Sequence, residues 1–295
     1  MQYIRLRTPS LIQSYIHPAV ARTGVELSIL REDLNHPLVP GNKARKLKYN
    51  LEAALESGHD TILTFGGAYS SHIRATAAAG NLCGLKTVGM IRGEEHEPLN
   101  DVLAFARSQG MEFHYLDRYV YKRKADPDFH KTVQEAFGPG YLIPEGGSNG
   151  LAVKGVTELV TDEIRDNFDV VCCACGTGGT MAGIVAGMRG KGKVLGVAVL
   201  KKGDFLKDEV VRLLKESESP WFDNWDIDLD YHFGGYAKTN ADLNRFVELA
   251  QRHNPQIPIE PIYTGRMVFC VVDRIYHGVY PSGTRILMVH TGGIH

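Results

Sequence analysis

The sequence has almost no net charge and no long apolar run. Lysine and arginine number 33 and aspartate and glutamate 34, which leaves a formal net charge of −1 over 295 residues. This balance provides no electrostatic surface for nucleic acid or an anionic membrane, so neither is expected as a partner. No apolar stretch approaches the roughly 20 residues that span a bilayer, and the N-terminal residues lack a signal-peptide pattern. We therefore expect a cytoplasmic protein.

Cysteine is scarce. The chain has 5 cysteines, an odd number that cannot all pair internally. Three of them lie in residues 170–175, a run of Val, Cys and Ala that is typical of a buried strand. No second ligand pair follows at zinc spacing, so the sequence predicts reduced thiols and no metal site.

Short strand-like runs alternate with helical patterns along most of the chain. Strands are predicted at residues 60–65, 86–91, 111–116, 169–175, 194–200 and 285–290. Helices are predicted at residues 71–82, 101–108, 151–168, 180–189, 204–216, 240–253 and 266–277. This alternation is typical of βαβ units and predicts an α/β fold with mostly parallel sheets.

Glycine, in contrast, is abundant. It accounts for 32 of the 295 residues, about 11% against a usual value of about 7%. Four glycine turns fall next to a predicted strand or helix start, at residues 66–67, 146–147, 176–179 and 292–293. Such turns let the backbone approach a ligand, and helix N-termini offer unpaired N–H groups to an anion. The pattern favours a phosphate-bearing ligand.

The turn that begins at Gly176 narrows the choice of phosphate ligand. Gly176-Thr177-Gly178 matches the start of the dinucleotide motif, but Met181 occupies the place of its third glycine. The Gly-Lys-Ser/Thr of a nucleoside-triphosphate loop is missing too. A ligand with a single phosphate monoester is the best match to this turn. A nicotinamide-dependent oxidoreductase is the alternative.

Three cations crowd the start of a further predicted helix. Lys43, Arg45 and Lys46 lie at its N-terminus, where the helix dipole disfavours positive charge. An anion or a carbonyl group nearby would explain the placement.

This segment resembles a known family. Gly41-Asn42-Lys43-x-Arg45-Lys46-Leu47 is similar to the Schiff-base lysine segment of the pyridoxal-phosphate (PLP) enzymes that include D-cysteine desulfhydrase and 1-aminocyclopropane-1-carboxylate (ACC) deaminase. Five more blocks resemble the family in the same order, at residues 70–74, 143–149, 175–180, 261–266 and 290–293. The resemblance implies the tryptophan-synthase-β-like fold (fold type II), with two open, twisted, mostly parallel α/β lobes and PLP in the cleft. It implies a larger PLP-binding domain of residues 1–43 and 150–295, a smaller inserted α/β domain of residues 44–149, and a homodimer.

The resemblance also implies roles for individual residues. Lys43 would bind PLP covalently and later move protons at the substrate α-carbon. Ser70 would lie near the substrate carboxylate, Tyr236 on the substrate side and Tyr263 against the cofactor ring. The residues that would hold the phosphate are Lys46, Gly176, Thr177, Gly178, Gly179 and Thr180. The remaining cofactor-binding residues would be Ser71 and His72, together with Thr291 at the pyridine nitrogen.

Two departures from the family pattern bear on the reaction. Ser71 stands where the family usually has an asparagine that bonds the cofactor's 3′-oxygen, and Tyr69 replaces a smaller polar residue. ACC deaminases tend to carry glutamate where this chain has Thr264, so the resemblance favours β-elimination from D-cysteine, giving pyruvate, ammonia and sulfide. ACC deamination is the alternative, and a PLP-binding protein without efficient turnover is the third possibility. The substrate would be a small amino acid in the first two cases.

Overall fold

The computed structural model describes residues 4–293. Its strands are Ile12–Ser14 (β1), Glu26–Arg31 (β2), Thr61–Gly67 (β3), Lys86–Arg92 (β4), Met111–Leu116 (β5), Tyr141–Ile143 (β6), Val170–Cys175 (β7), Lys193–Ala198 (β8), Trp225–Asp228 (β9) and Arg285–His290 (β10). The α-helices are Asn42–Glu56 (α1), Ser71–Cys83 (α2), Asp101–Ser108 (α3), Arg118–Tyr121 (α4), Pro127–Phe137 (α5), Gly150–Thr157 (α6), Asp162–Asn167 (α7), Gly179–Met188 (α8), Phe205–Glu216 (α9), Ala241–His253 (α10) and Thr264–Tyr276 (α11). Short 3₁₀ turns span Pro18–Val20, Glu32–Leu34 and Glu145–Gly147.

The strands form two separate sheets. A six-stranded sheet has the order β1-β2-β10-β7-β8-β9, and only its edge strand β1 pairs antiparallel. A four-stranded sheet has the order β5-β4-β3-β6 and is parallel throughout. The predicted α/β class with mostly parallel sheets is therefore confirmed.

Helices cover both faces of the larger sheet. Along β7, Val171 and Cys173 belong to one hydrophobic cluster, which also contains buried residues of α8. The alternate residues Cys172 and Ala174 belong to another, which contains buried residues of α11. Alternate side chains of a strand point to opposite faces, so this strand is buried from both sides and contains apolar residues throughout.

The strands of the smaller sheet all come from residues 61–143. Ile62 of β3 packs in the same cluster as Leu47 and Leu51 of α1, the apolar stripe that the sequence shows. The neighbouring Leu63 and Phe65 pack on the other face. The strands thus lie within the predicted inserted domain of residues 44–149, although the domain boundaries themselves stay a prediction. Residues 1–3 and 294–295 of the predicted larger domain lie outside the described residues.

One predicted helix is wrong. The sequence pattern indicates a single helix over residues 151–168, but the structure divides this stretch into α6 and α7. The side chain of Thr161 accepts a hydrogen bond from the Ile164 amide and so caps a new helix. Leu159 and Val160 between the two helices are buried, so their helical spacing reflects packing of the connection.

The five cysteines are free thiols, and four of them are buried. Between residues 4 and 293, no helix is long and apolar enough to cross a membrane.

Candidate active site

A cavity of about 940 Å³ opens where strands of both sheets end. Its walls include the start of α1 and the turns that follow β3, β7 and β10. Ligands of open parallel sheets bind at this carboxyl edge. Of the residues predicted for the site, those that line the cavity are Lys43, Lys46, Ser70, Ser71, His72, Gly176, Thr177, Gly178, Thr180, Tyr236, Tyr263 and Thr291.

Lys43 lies in the first turn of α1, on the cavity wall. Its Nζ is 3.4 Å from Oδ1 of Asn42, whose Nδ2 donates to the Thr180 hydroxyl at 2.7 Å. Burial lowers the pKa of Lys43 to about 8, because removal of water disfavours the charged amine. A large fraction of this amine is therefore neutral near pH 8 and able to act as a nucleophile or a base.

Lys46 lies one turn further along α1 and is fully buried. Its Nζ donates to the carbonyl of Gly146 at 3.1 Å and to the hydroxyl of Ser148 at 3.0 Å. The Ser148 hydroxyl is in turn 2.7 Å from that of Thr177. Burial and the nearby Lys43 both lower the pKa of Lys46, so a ligand with negative charge would stabilise its charged form.

The turn after β7 leads into the N-terminus of α8. Gly178 has a φ of +73°, and no side chain caps the helix there. A β-carbon at position 179 would lie 2.6 Å from Oγ of Ser148 and 2.9 Å from Nζ of Lys46. Gly179 is not among the residues that line the cavity. Its lack of a side chain lets the N-terminus of α8 approach the Ser148 hydroxyl and the Lys46 amine.

The turn after β3 leads into α2 in a similar way. Ser70 is the N-cap of this helix, because its Oγ accepts from the amides of His72 and Ile73 at 3.2 and 3.4 Å. Its hydroxyl proton remains available to a ligand in the cavity. Ser71 is half-buried at the first position of the helix.

His72 is buried and has little capacity left for a ligand. Its Nε2 is 2.8 Å from the hydroxyl of Thr64, which donates to the Ile143 carbonyl. Because that hydroxyl proton is used, Nε2 of His72 is the donor in the first bond. Burial lowers the pKa of His72 well below its usual value, with smaller effects from Lys43 and Lys46, so the ring is neutral. These contacts support a structural role for His72 rather than the predicted cofactor contact, which stays a prediction.

Two tyrosines form one wall of the cavity. The hydroxyl of Tyr263 is 3.3 Å from that of Tyr236, and their rings meet edge to face with centroids 5.9 Å apart. A β-carbon at Gly176 would lie 3.4 Å from the Tyr263 ring. Burial raises the pKa of Tyr263 well above its usual value, so this phenol stays protonated and can donate.

Thr291 follows β10 and lines the cavity. Its carbonyl accepts from the Asn42 amide at 3.2 Å. Gly41, with a φ of +82°, fits against it closely, because a β-carbon there would lie 2.0 Å from the same carbonyl oxygen. This contact brings the predicted covalent lysine and the predicted ring-nitrogen partner to one side of the cavity.

Sequence reasoning gave no role to three residues that shape the site. Asn42 and Ser148 connect the two lysines to the hydroxyls of the glycine turn. Arg266 is fully buried and donates to five carbonyls, among them that of Gly235 before Tyr236. The resemblance blocks include all three, but their contacts are to residues far away in the sequence.

The residues present fit a phosphorylated aldehyde such as PLP. An uncapped helix N-terminus, the buried Lys46 and the hydroxyls of Ser148 and Thr177 form a site for a phosphate monoester. Lys43, with its lowered pKa, supplies an amine for the aldehyde. Any side chain at position 179 would collide with the Ser148 hydroxyl and the Lys46 amine, so glycine is required there.

Comparisons with known proteins agree with this fit. The family model "Pyridoxal-phosphate dependent enzyme" matches residues 9–292. A putative ACC deaminase of Thermotoga maritima is 33% identical over 286 residues, covering 92% of this chain and 89% of that protein. A bifunctional D-cysteine desulfhydrase/ACC deaminase of Arabidopsis thaliana, described as mitochondrial, is 30% identical over 294 residues, covering 92% of this chain and 73% of that protein.

Solved structures give the same result. The crystal structure of an ACC deaminase homologue matches 98% of this chain and 91% of that chain with a TM-score of 0.81 at 27% identity. A hydrogen sulfide-producing enzyme of Fusobacterium nucleatum matches 98% of this chain and 97% of that chain with a TM-score of 0.71, but at 14% identity it supports the fold alone. The chain therefore belongs to the family of pyridoxal-phosphate dependent enzymes, and its mostly parallel α/β structure is the fold of type II members of that family.

Proposed function

We propose that this enzyme catalyses β-elimination from a small amino acid, with D-cysteine as the expected substrate. Loss of sulfide leaves an enamine, which one water molecule hydrolyses to pyruvate and ammonia. The observation that carries the proposal is the grouping of the Lys43 amine with the hydroxyls of Ser70, Tyr236 and Tyr263 on one cavity, with Thr264 where ACC deaminases tend to have glutamate. The name of the Arabidopsis relative supports it.

Each side chain has a proposed part in this reaction. PLP, when bound, withdraws electrons from the substrate α-carbon. Lys43 would hold the cofactor covalently, and its neutral amine would take the α-proton of the substrate. Ser70 and the N-terminus of α2 bind the substrate carboxylate. The protonated Tyr263, with Tyr236, supplies a proton to the leaving sulfur.

The remaining side chains hold the cofactor in this proposal. Lys46 and the turn from Gly176 to Thr180 bind its phosphate, and Thr291 faces its pyridine nitrogen. Ser71 is shorter than the asparagine of the family, so a contact with the cofactor's 3′-oxygen would need a bridging water molecule. Tyr69 is 74% exposed at the cavity mouth, where it limits the size of the substrate.

ACC deamination is the second candidate, because several relatives carry that name. One experiment distinguishes the two reactions. The purified holoenzyme is incubated with D- and L-cysteine, D- and L-serine, β-chloroalanine and ACC, and sulfide, pyruvate and the four-carbon keto acid are measured. Sulfide and pyruvate from D-cysteine support β-elimination. The keto acid from ACC alone contradicts it, and no turnover of any compound favours a PLP-binding protein.

Three further proposals concern the whole protein. We propose a homodimer, a cytoplasmic location and a boundary between the two domains at residues 43 and 149. The confinement of one sheet to residues 61–143 supports the boundary. Light scattering of the purified protein, cell fractionation and limited proteolysis test these three in turn.

A further inference from the structure

A carboxylate is completely buried in the turn that follows β2. The exposed fraction of Glu32 is 0%, and that of its ion-pair partner Arg45 is 2%. The Arg45 guanidinium donates through Nε at 2.5 Å and through Nη2 at 2.8 Å. The Glu32 carboxylate also accepts from Asn35 Nδ2 at 3.0 Å and from the hydroxyl of Ser10. All of these side chains donate to the carboxylate oxygens of Glu32.

The same residues hold the turn before Lys43. The amide of Gly41 donates to the backbone carbonyl of Glu32 and to Oδ1 of Asn35, both at 3.0 Å. Nδ2 of Asn35 donates to the Gly41 carbonyl at 3.1 Å. Three hydrogen bonds therefore fix both backbone groups of a residue that lies two positions before Lys43.

The opposite side of Gly41 meets the turn of Thr291. The Asn42 amide bonds the Thr291 carbonyl at 3.2 Å, and the two turns are too close for a β-carbon at position 41. Asp33, next to Glu32, approaches Nδ1 of the buried His290 at 3.7 Å. One short turn after β2 thus contacts both the segment that leads into Lys43 and the end of β10, which leads to Thr291.

A buried ion pair is seldom needed for stability, since apolar residues of similar volume often serve as well. Here the pair joins Arg45 of α1 to Glu32, which lies in the turn that bonds Gly41, the residue directly before α1. We propose that Glu32, through Arg45 and Asn35, is a positioning residue that holds Gly41 against Thr291 and so sets where the Lys43 amine lies in the cavity. This inference rests on the proposed role of Lys43.

The test compares three variants of the holoenzyme. Glu32→Gln removes the charge but leaves Arg45 buried without its counter-ion, so it destabilises the fold and is read only where the variant folds. Glu32→Leu/Arg45→Met removes both charges together and keeps an apolar filling. Glu158→Gln is the matched control, because the Glu158 side chain bonds Lys48 and Tyr49 on the same helix and neither of these residues belongs to the Gly41 turn.

Hydrogen exchange and steady-state kinetics are the two measurements. In the double variant, the amides of Gly41 and Asn42 should exchange about tenfold faster, the effect of losing one hydrogen bond, while those of β7 keep their rates. kcat should fall about tenfold or more with little change in KM, because substrate binding is retained and proton transfer is not. The control should show neither change.

Unchanged exchange at Gly41 and Asn42 in a folded double variant would overturn the inference. So would faster exchange spread equally over the whole chain, which indicates general destabilisation. The exchange measurement needs no turnover, so it remains decisive even if no compound in the substrate panel reacts. Failure of the proposed reaction is therefore distinguishable from failure of the positioning role.

Discussion

The guanidinium of Arg266 donates from Nη2 to the carbonyl of Gly235 at 3.0 Å, directly before Tyr236. The same guanidinium also bonds the carbonyls of Lys238 at 2.7 Å and His232 at 2.9 Å. One buried side chain on α11 thereby holds the loop that carries Tyr236 against the helix that begins next to Tyr263. The distance between the two tyrosine hydroxyls depends on this anchor.

We expect Arg266→Lys to lower the free energy of unfolding by about 2 kcal/mol or more, because a lysine ammonium cannot reach all five carbonyls and leaves buried acceptors unpaired. kcat should fall too, since Tyr236 loses its fixed position. Arg274→Lys on the same helix is the control, because it keeps its partly exposed pairing with Asp228 and should cost less than about 0.5 kcal/mol. Thermal unfolding and steady-state kinetics measure both effects, and equal stability losses in the two variants would contradict the anchor role.

The pKa of Lys43 gives a prediction for pH dependence. Burial lowers this pKa from 10.5 to about 8, so the amine is protonated and unreactive below that pH and neutral above it. The rate at which PLP attaches to the apoprotein should therefore rise with pH and level off above about pH 8. Borohydride reduction followed by peptide mapping measures the attachment at Lys43. Lys43→Ala should show none, and a rate that keeps rising towards pH 10 would contradict the lowered pKa.

The elements with strong local patterns could be predicted from the sequence. The bounds of α3, β5 and β10 agree with the prediction, and the other predicted elements agree within two residues apart from the divided helix of residues 151–168. β2 was missed, because its short sequence is flanked by charge and it becomes a strand by pairing with β10, some 250 residues later in the chain. Such pairing has no local signal.

The residues of the site also differ in whether they could be predicted from local sequence. Lys43 and the glycine turn could be found because each stands out within a few residues of sequence. The Lys46–Ser148 bond joins residues 102 positions apart, and Arg266 reaches a carbonyl 67 positions away. Polar contacts of this kind are set by the packing of elements that are distant in the sequence, so the residue types alone do not reveal them.

A substitution at Gly41 tests the close contact between the turn of Gly41 and the turn of Thr291. Gly41→Ala places a β-carbon 2.0 Å from the Thr291 carbonyl oxygen, in addition to the strain of a φ of +82°. Gly138→Ala is the matched control, because its φ of +86° and ψ of 177° are close to the φ of +82° and ψ of −161° of Gly41, and nothing lies within 4 Å of the new carbon. We expect about 1–3 kcal/mol of destabilisation for Gly138→Ala from strain alone and clearly more for Gly41→Ala. Chemical denaturation of the apoproteins measures both. Equal losses would show that the turns can separate at no cost.

Thr264 and Thr64 form a matched pair for the last prediction. Both are fully buried. The Thr64 hydroxyl bonds His72 and the Ile143 carbonyl, whereas the Thr264 hydroxyl has no hydrogen-bond partner among residues 4–293. An unpaired buried hydroxyl costs free energy, and valine has nearly the same shape. In the apoprotein, Thr264→Val should leave the free energy of unfolding unchanged or raise it by about 1 kcal/mol, whereas Thr64→Val should lower it by about 2 kcal/mol.

The Thr264→Val variant also tests whether the Thr264 hydroxyl contributes to PLP binding. Thr264 is the residue after Tyr263, whose ring lines the cavity and packs against the Gly176 turn. If it bonds the cofactor, Thr264→Val weakens PLP binding about fivefold or more while the stable apoprotein shows no defect, because only the loaded enzyme loses a hydrogen bond. PLP affinity is measured by absorbance titration, with Thr157→Val, whose hydroxyl donates to the Val153 carbonyl within α6, as the control. A Thr264→Val apoprotein as unstable as Thr64→Val would mean that this hydroxyl already has a partner in the protein, and the expected effect on PLP would lose its basis.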